Sequence, residues 1–396
     1  MKTPKTRRVL SLSTLFPNPA QPRFGIFVAR SLEALQRDTQ WDVTVINPIG
    51  LPPVAMGRYR ELAAAAQDSE ESGISIHRPV FRLIPKIGGR LNPALIARAV
   101  LPLVRQLHAQ NPFDLVDAQF FYPDGPAAMM IARDLGLPFT VKARGSDIHH
   151  WGARRYGRDA LLQTARAASG VLAVCKALAD DMAMLGMERE KIRVHYTGLD
   201  RDLFRPMDHA GLRARLAQTF DVPLTNGDLL LVTVGALIER KGQALVIKAL
   251  AHLPKGRLLL IGKGEDRASL LALARDVGVA DRVHMLGSLD PAVLPPLLSA
   301  ADAMVLPSAS EGLANAWIEA LACGTPIVIT DAGGAREVVT TPDAGVIVAR
   351  NCRAVREGIE LVTARPRSPE KVAAAVDEFS WAANGKALAA YYDTLV

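Results

Sequence analysis

The sequence predicts an α/β protein built from two doubly wound, Rossmann-like parallel-sheet domains, and three observations carry that prediction. The chain has 396 residues, too many for one core at roughly 100–200 residues per domain. Short β-branched or leucine-rich runs alternate with longer amphipathic segments, the rhythm of strand–helix–strand units. The rhythm stops in a polar, proline-bearing stretch, Asp200–Asn226, and then begins again.

In the first half, strands are expected at Val9–Ser13, Asp42–Ile46, Leu115–Asp117, Phe139–Val141, Val171–Val174 and Ile192–His195. Helical patterns at Gly25–Gln36, Leu91–Gln110 and Asp124–Leu135 fall between them, which calls for helices on both faces of a parallel sheet. In the second half, strands are expected at Leu229–Val234, Arg257–Ile261, Val283–Leu286, Ala303–Leu306, Pro326–Ile329 and Gly345–Val348. A last apolar-periodic segment, Trp381–Leu395, reads as a helix packing back on the first domain. The expected organisation is therefore 1–203, 204–378 and a terminal helix 379–396, with a cleft between the two domains as the default ligand site.

Composition narrows the class. Hydrophobic residues at 49% and charged ones at 22% fit an ordinary globular chain and exclude a disordered or fibrous one. The longest apolar runs fall well short of the ~18–20 residues that a membrane-spanning helix needs. Arg7-Arg8 and the apolar Val9–Phe16 superficially resemble a secretion signal, but serines interrupt the run and no small-residue cleavage site precedes Pro17. Cys175, Cys323 and Cys352 are odd in number and far apart, which fits neither a disulfide framework nor a clustered metal site and suggests a reducing, cytoplasmic setting. The net charge of +7 suits a partner that carries phosphate, without choosing among nucleotide, anionic lipid and nucleic acid.

The strongest local signal is Glu311-Gly312-Leu313-Ala314-Asn315-Ala316-Trp317-Ile318-Glu319, which follows the strand Ala303–Leu306. With Glu311 in the loop and Glu319 two turns along the helix, the carboxylates would lie roughly 10–12 Å apart, too far to share a proton but right for gripping two parts of one elongated ligand. The helix start at Gly312–Asn315 would offer backbone N–H groups to a diphosphate. Spacing alone leaves open the plainer reading of a capping carboxylate and an exposed helix glutamate.

Context decides between them. Ser308–Glu319 followed by Ala320-Leu321-Ala322-Cys323-Gly324-Thr325-Pro326-Ile327-Val328 resembles the E-x7-E signature of the retaining, GT-B-fold family-four glycosyltransferases, also called group 1. Asp331-Ala332-Gly333-Gly334-Ala335-Arg336-Glu337 resembles the same family's second glycine turn, and Val234-Gly235 through Lys241-Gly242 its phosphate-facing loop. The resemblance implies two Rossmann-like domains facing a central cleft, the first binding acceptor and the second a nucleotide-sugar donor. It further implies that Glu311 binds sugar hydroxyls, that Glu319 binds ribose, and that Lys241 and Arg240 neutralise the departing diphosphate.

The family's arginine directly after Val-Gly is Ala236 here, so either Arg240 replaces it or phosphate is held differently. By the same resemblance Gly235, Gly262, Gly264 and Met285 border the donor, the last three around the nucleotide base, together with Gly312, Leu313, Ala314 and Asn315. Gly25 would bring a helix start to the diphosphate. Lys142-Ala143-Arg144-Gly145-Ser146-Asp147 resembles the family's HGSD loop with Arg144 in place of histidine, giving Arg144 and Asp147 catalytic-site roles. An arginine stays protonated, so orientation or charge stabilisation is its task rather than base catalysis. Asp124 and Gly125 are expected to line the acceptor pocket.

No metal or other cofactor is assigned. His149-His150 lacks ligand-spaced partners and reads as a surface pair, and Asp200-Arg201-Asp202 reads as part of the linker rather than as a metal-binding D-x-D. The implied partners are a nucleotide-sugar donor and a glycan or lipid-linked acceptor, with no nucleic acid. Arg82, Lys86, Arg90, Arg98, Arg105, Arg154, Arg155 and Arg158 would suit peripheral contact with an anionic cytoplasmic membrane face, or serve as scattered solubilising charge. The implied function is retaining sugar transfer in polysaccharide or glycoconjugate synthesis. Rival readings are a nucleotide-sugar epimerase or hydrolase on the same architecture, a catalytically silent paralogue, and an NAD-dependent oxidoreductase, for which neither domain offers a G-x-G-x-x-G turn with its downstream acid.

Overall fold

The computed structural model describes residues 6–84, 88–208, 211–225 and 227–396, so Lys86 and Asn226 lie outside the described residues. The chain forms two compact units, Met1–Gly198 with Trp381–Val396, and Leu199–Ser380.

The first unit contains β1 (Arg7–Leu12), β2 (Trp41–Ile46), β3 (Ile49–Leu51), β4 (Ser69–Glu71), β5 (Ile74–His77), β6 (Val80–Arg82), β7 (Leu115–Ala118), β8 (Phe139–Ala143), β9 (Gly170–Ala173) and β10 (Ile192–Val194). Eight of these make one sheet in the order β10-β9-β8-β7-β1-β2-β5-β4, and only the β4–β5 pair is antiparallel. β3 and β6 form a small sheet of their own. Strands buried on both faces are mostly apolar, as Val9, Leu10 and Leu12 in β1 and Leu115, Val116 and Ala118 in β7 are; their buried polar residues, Ser11 and Asp117, hydrogen-bond to each other.

The helix Ile26–Asp38 lays Val28, Leu32 and Leu35 on this core. The terminal helix Trp381–Asp393 packs Leu388 and Tyr392 into the same cluster. Its Gly385 lies so close to the first helix that a Cβ there would meet the Ala34 carbonyl carbon at 2.6 Å. Trp41 meets Tyr392 edge-on at 5.3 Å and donates its indole N–H to Asp393. The terminal helix is therefore a component of the first unit's core.

The second unit contains β11 (Leu229–Val234), β12 (Gly256–Ile261), β13 (Val283–Gly287), β14 (Ala303–Leu306), β15 (Ile327–Thr330) and β16 (Gly345–Val348). All are parallel, in the order β13-β12-β11-β14-β15-β16. Numbered within the unit this is 3-2-1-4-5-6, the doubly wound Rossmann order. Leu231, Leu258, Leu260, Val305 and Val328 from the sheet and Val246, Ile247, Val355 and Ile359 from flanking helices close its core. No helix among the described residues is long and apolar enough to cross a membrane.

Winding direction reverses between β11 and β14 in the second unit and between β1 and β7 in the first. Loops leaving the carboxyl ends of strands diverge at such a switch point and leave a crevice for ligand. The loops that matter are thereby fixed by topology: 235–242 and 307–314 in the second unit, 13–25 and 119–123 in the first.

Candidate functional site

In the second unit the two switch-point loops deliver opposite charges to one spot. Lys241 ends a 3₁₀ turn, Glu239–Lys241, after β11, and its Nζ donates to Glu311 Oε1 at 2.5 Å. Arg240 reaches the other oxygen of the same carboxylate at 3.5 Å and also donates to the Ser310 carbonyl. The pair is enclosed, with side-chain exposure of 13% for Lys241 and 8% for Glu311. Arg350, which carries no motif signal, ties the two loops together by donating to the Pro307 and Glu239 carbonyls.

Close backbone approach explains the glycines. Gly333 has φ +53°, and a Cβ on it would lie 2.4 Å from the Glu311 carbonyl oxygen, while Gly334 N–H donates to Gly312 O at 2.7 Å. The second glycine turn thus clamps the Glu311-Gly312 backbone. Gly262 and Gly264, expected to border the donor, have the Gly235 and Leu237 carbonyl oxygens as their tightest neighbours, at 1.9 Å and 2.0 Å from where a Cβ would sit. They lock the loop after β12 onto the loop after β11, and Lys241 runs over Gly235 at 3.8 Å. Gly262→Ala is expected to destabilise the protein by more than about 3 kcal/mol through backbone collision at positive φ, read as a fall in chemical-denaturation midpoint. Met285 is half-buried on edge strand β13, where the ladder with β12 slips by a residue beside Ile261.

Glu319 differs from expectation in place and surroundings. Ala314 is extended and caps a helix that begins at Asn315, so Glu319 lies just over one turn in rather than two. Burial pushes its carboxyl up to about 7, and it has no hydrogen-bond or ion-pair partner among the described residues. Glu311 is not a helix cap, since its carboxylate is taken by Lys241. Leu313, Ala314 and Asn315 occupy the helix start, where the helix's own ladder leaves N–H groups unpaired.

In the first unit the corresponding loops converge around Arg144. Its guanidinium donates to the Gln119 carbonyl at 2.9 Å and to the Gln119 amide oxygen at 2.7 Å, and stacks over Phe27 at 4.7 Å. Burial pulls its pKa down to about 10, so it remains a cation at neutral pH. Gly25, at φ +71°, starts the helix that carries Phe27, with room for no side chain against Leu15 O at 2.4 Å.

Three expectations in this unit need correction. Asp147 is fully buried and accepts from the backbone N–H groups of Phe121, Arg144, Gly145 and Ile148, so it organises the loop instead of facing a substrate. Asp124 is fully buried and holds Thr14 through its N–H and hydroxyl; burial raises its pKa to about 7. Gly125 is packed against Val141 and Thr164, where a Cβ would sit at 3.0 and 3.1 Å. Neither Asp124 nor Gly125 presents a surface to an acceptor.

Sequence reasoning missed a buried polar chain in the same unit. Lys142 Nζ lies 2.6 Å from His195 Nδ1, and His195 Nε2 donates to the Asn384 carbonyl of the terminal helix. Asn384 also accepts from Ser31 and donates to Tyr196 O. Desolvation drives the pKa of Lys142 and of His195 well below ordinary values. These contacts span up to 353 residues, and no local pattern announces them.

Other expected features are placed simply. His149 is exposed but does have a carboxylate partner, Asp181 at 2.9 Å, supplied by the fold rather than by spacing. Asp200 accepts from the N–H groups of Asp202 and Leu203 in a turn, and Arg201 pairs with Asp377. Among the described residues no group of three or more His, Cys, Asp or Glu is placed to hold a metal ion. Of the basic residues in the first unit, Arg105 pairs with Asp134, and Arg154 stacks on Trp151 at 5.1 Å.

Comparison with known proteins bears on family and fold. Residues 25–203 match the family model described as Glycosyltransferase Family 4, and residues 215–378 match the one described as Glycosyl transferases group 1. TuaC of Bacillus subtilis, named as a teichuronic acid biosynthesis glycosyltransferase, is 28% identical over 369 residues, 89% of this chain and 88% of its own. LpsE of Rhizobium meliloti, a lipopolysaccharide core biosynthesis glycosyltransferase, is 36% identical over 173 residues, 43% of this chain and 46% of its own. Among solved structures, sucrose-phosphate synthase of Thermosynechococcus elongatus superposes with TM-score 0.79 at 20% identity over 98% of this chain and 99% of that one. HepE of Anabaena in complex with UDP and glucose superposes with TM-score 0.72 at 20% identity over 98% and 100%.

Proposed function

From the premise that the chain belongs to the group 1 glycosyltransferases and has the GT-B fold, we propose that it is a retaining enzyme that moves a sugar from a UDP- or GDP-sugar to a hydroxyl of a glycan or lipid-linked acceptor. The observation that carries the reading is the enclosed Lys241–Glu311–Arg240 cluster where the second sheet reverses its winding, with Glu319, unpartnered among the described residues, on the helix that follows. Two cations within 4 Å of one carboxylate fit a diphosphate next to a sugar: the sugar's hydroxyls take Glu311, and the phosphate oxygens take Lys241 and Arg240. The Glu319 carboxylate accepts from ribose hydroxyls.

Charge builds on the diphosphate as the glycosidic bond breaks, and the two cations favour that state over the ground state. In this mechanism the acceptor hydroxyl approaches the face that the diphosphate leaves, through an oxocarbenium-like state, and the departing phosphate takes its proton. Arg144, fixed by Gln119 and Phe27, contributes a stationary positive charge in the first unit. The relatives are named for teichuronic acid and lipopolysaccharide core biosynthesis, which supports polysaccharide or glycoconjugate assembly here.

The test is a calorimetric screen of UDP-, GDP- and ADP-sugars against the native chain, Lys241→Ala and Glu319→Ala. Binding of one base series, lost in both variants, is the expected result. Absence of binding at millimolar donor would leave a catalytically silent paralogue as the better account. Release of free sugar with no transfer to added acceptor would favour a hydrolase.

A further inference from the structure

The first unit carries an open cavity of about 670 Å³ that none of the donor-side residues enters. It lies among the helices Asn92–Gln110, Asp124–Leu135 and Arg155–Ala167 and is within the usual size of small-molecule sites. Asp124 points into the core from the second of these helices, whereas Met129 and Met130 of the same helix line the cavity. The cavity thus lies against the opposite face of this helix from Asp124.

Two kinds of surface meet there. Arg90 and Arg155 stand on the lining without an ion pair among the described residues, and Asp159 is the one carboxylate beside them. Met129, Met130, Pro93 and Pro126 supply an apolar wall, and Met130 is left 39% exposed, with Leu91 nearby in sequence at 52%. Unpaired guanidinium groups suit phosphate oxygens, and flexible methionines suit a hydrocarbon chain. A bare sugar would find Asp159, Gln163 and the Tyr122 and Tyr156 hydroxyls as acceptors, but would bring no negative charge to the two guanidinium groups.

The cationic rim is built rather than loose. Tyr122 donates its hydroxyl to Gly89 O at 2.7 Å, next to Arg90. Trp151 packs on Tyr122 at 4.5 Å and on Tyr156 at 6.1 Å. Gly89 itself sits against this cluster, where a Cβ would be 3.2 Å from the Tyr156 oxygen and 3.3 Å from Trp151. The turn bearing Arg90 is thus seated on a rigid aromatic base, which lowers the ordering cost of binding.

We infer that this cavity binds an amphipathic phosphate, a single prenyl or alkyl chain ending in a phosphate or diphosphate, as the carrier portion of a lipid-linked acceptor. The assignment rests on the transferase reading for its role, but the binding it asserts stands apart from donor chemistry.

The experiment titrates farnesyl monophosphate into the full-length protein by calorimetry. The comparison set is Arg90→Glu/Arg155→Glu, Arg90→Lys/Arg155→Lys and Glu319→Ala, with inorganic phosphate and phosphatidylglycerol vesicles as separate ligands. Saturable binding is expected, weakened at least tenfold by the glutamate pair, largely kept by the lysine pair and unchanged in Glu319→Ala. Inorganic phosphate is expected to compete only weakly. Equal affinity for the glutamate pair, no binding at all, full competition by inorganic phosphate, or binding to vesicles alone would each overturn the assignment. A failure of the donor reading shows separately, as a nucleotide-sugar affinity that Glu319→Ala leaves unchanged.

Discussion

Lys241→Met is expected to lower kcat/KM with the nucleotide-sugar donor by roughly 10²–10³-fold, the usual cost of removing one preorganised charge from a leaving-group site. Lys241 is the better enclosed of the two cations on Glu311 and makes the shorter contact, 2.5 Å against 3.5 Å for Arg240. In the proposed mechanism its charge acts on the bond-breaking step, so the loss should appear mainly in kcat, with a smaller rise in KM.

Stability is expected to fall by less than in the usual buried-pair deletion. Removing one partner of an enclosed ion pair commonly costs about 3–5 kcal/mol because a charge is stranded. Here Arg240 remains on Glu311, so a loss nearer about 1–2 kcal/mol is expected from the missing charge-assisted bond. Arg240→Met alone should cost less activity than Lys241→Met, and the double variant should lose much more stability than either. Steady-state kinetics with parallel urea unfolding separates these effects. A kcat/KM within threefold of native for Lys241→Met in a folded protein would remove Lys241 from the mechanism.

How much of this was legible in the sequence depended on whether the deciding contact was local. β11 and β14 fall where the apolar runs placed them, because parallel central strands are buried on both faces and read as unbroken hydrophobic runs. β3, β4, β5 and β6 were not anticipated. Ile49-Gly50-Leu51 and Ser69-Glu70-Glu71 are three residues long and lack the alternation or apolar density that marks a strand, so only their pairing partners make them strands.

The same distinction runs through the site. Glu311, Lys241 and the Gly333 turn came from contiguous motifs, and the fold brings all three together within the second unit. The side-chain orientation of Asp124 was invisible, because it is set by Thr14, 110 residues earlier. Asp147 could be found but not interpreted: a fully buried carboxylate with four backbone N–H donors organises a loop, and sequence cannot count donors. The start of the helix bearing Glu319 was placed too early because Gly312–Ala314 carries no cap signal, and Ala314 caps without a side-chain bond.

Glu319→Gln is expected to stabilise the empty protein at pH 8 by up to about 3 kcal/mol and to weaken donor binding at the same pH. The sign follows from proton counting. Glu319 titrates near 7 when folded and near 4.5 when unfolded, so between these values the native state holds more protons than the unfolded one. Its contribution to stability then falls as pH rises from about 4.5 to about 7 and is flat above. Glutamine removes that penalty, so the variant's advantage should be near zero at pH 4.5 and reach its full size by pH 8.

Other buried groups bend the parent's own curve. Asp124, raised to about 7, acts in the same direction as Glu319, while Lys142 and His195, whose pKa values burial lowers, oppose it. The variant-minus-parent difference cancels them. If the carboxylate receives ribose hydroxyls, donor affinity in the parent should rise with pH through about 7, and this dependence should vanish in Glu319→Gln. Paired denaturant melts and nucleotide titrations at pH 5, 6, 7 and 8 read both quantities. An advantage for glutamine that does not grow with pH would mean that Glu319 is solvated or paired, and a pH-independent donor affinity would detach it from the ligand. In the proposed site Glu319 is a carboxylate that costs the empty protein stability and would gain its partners from substrate hydroxyls, the trade expected where binding outweighs folding.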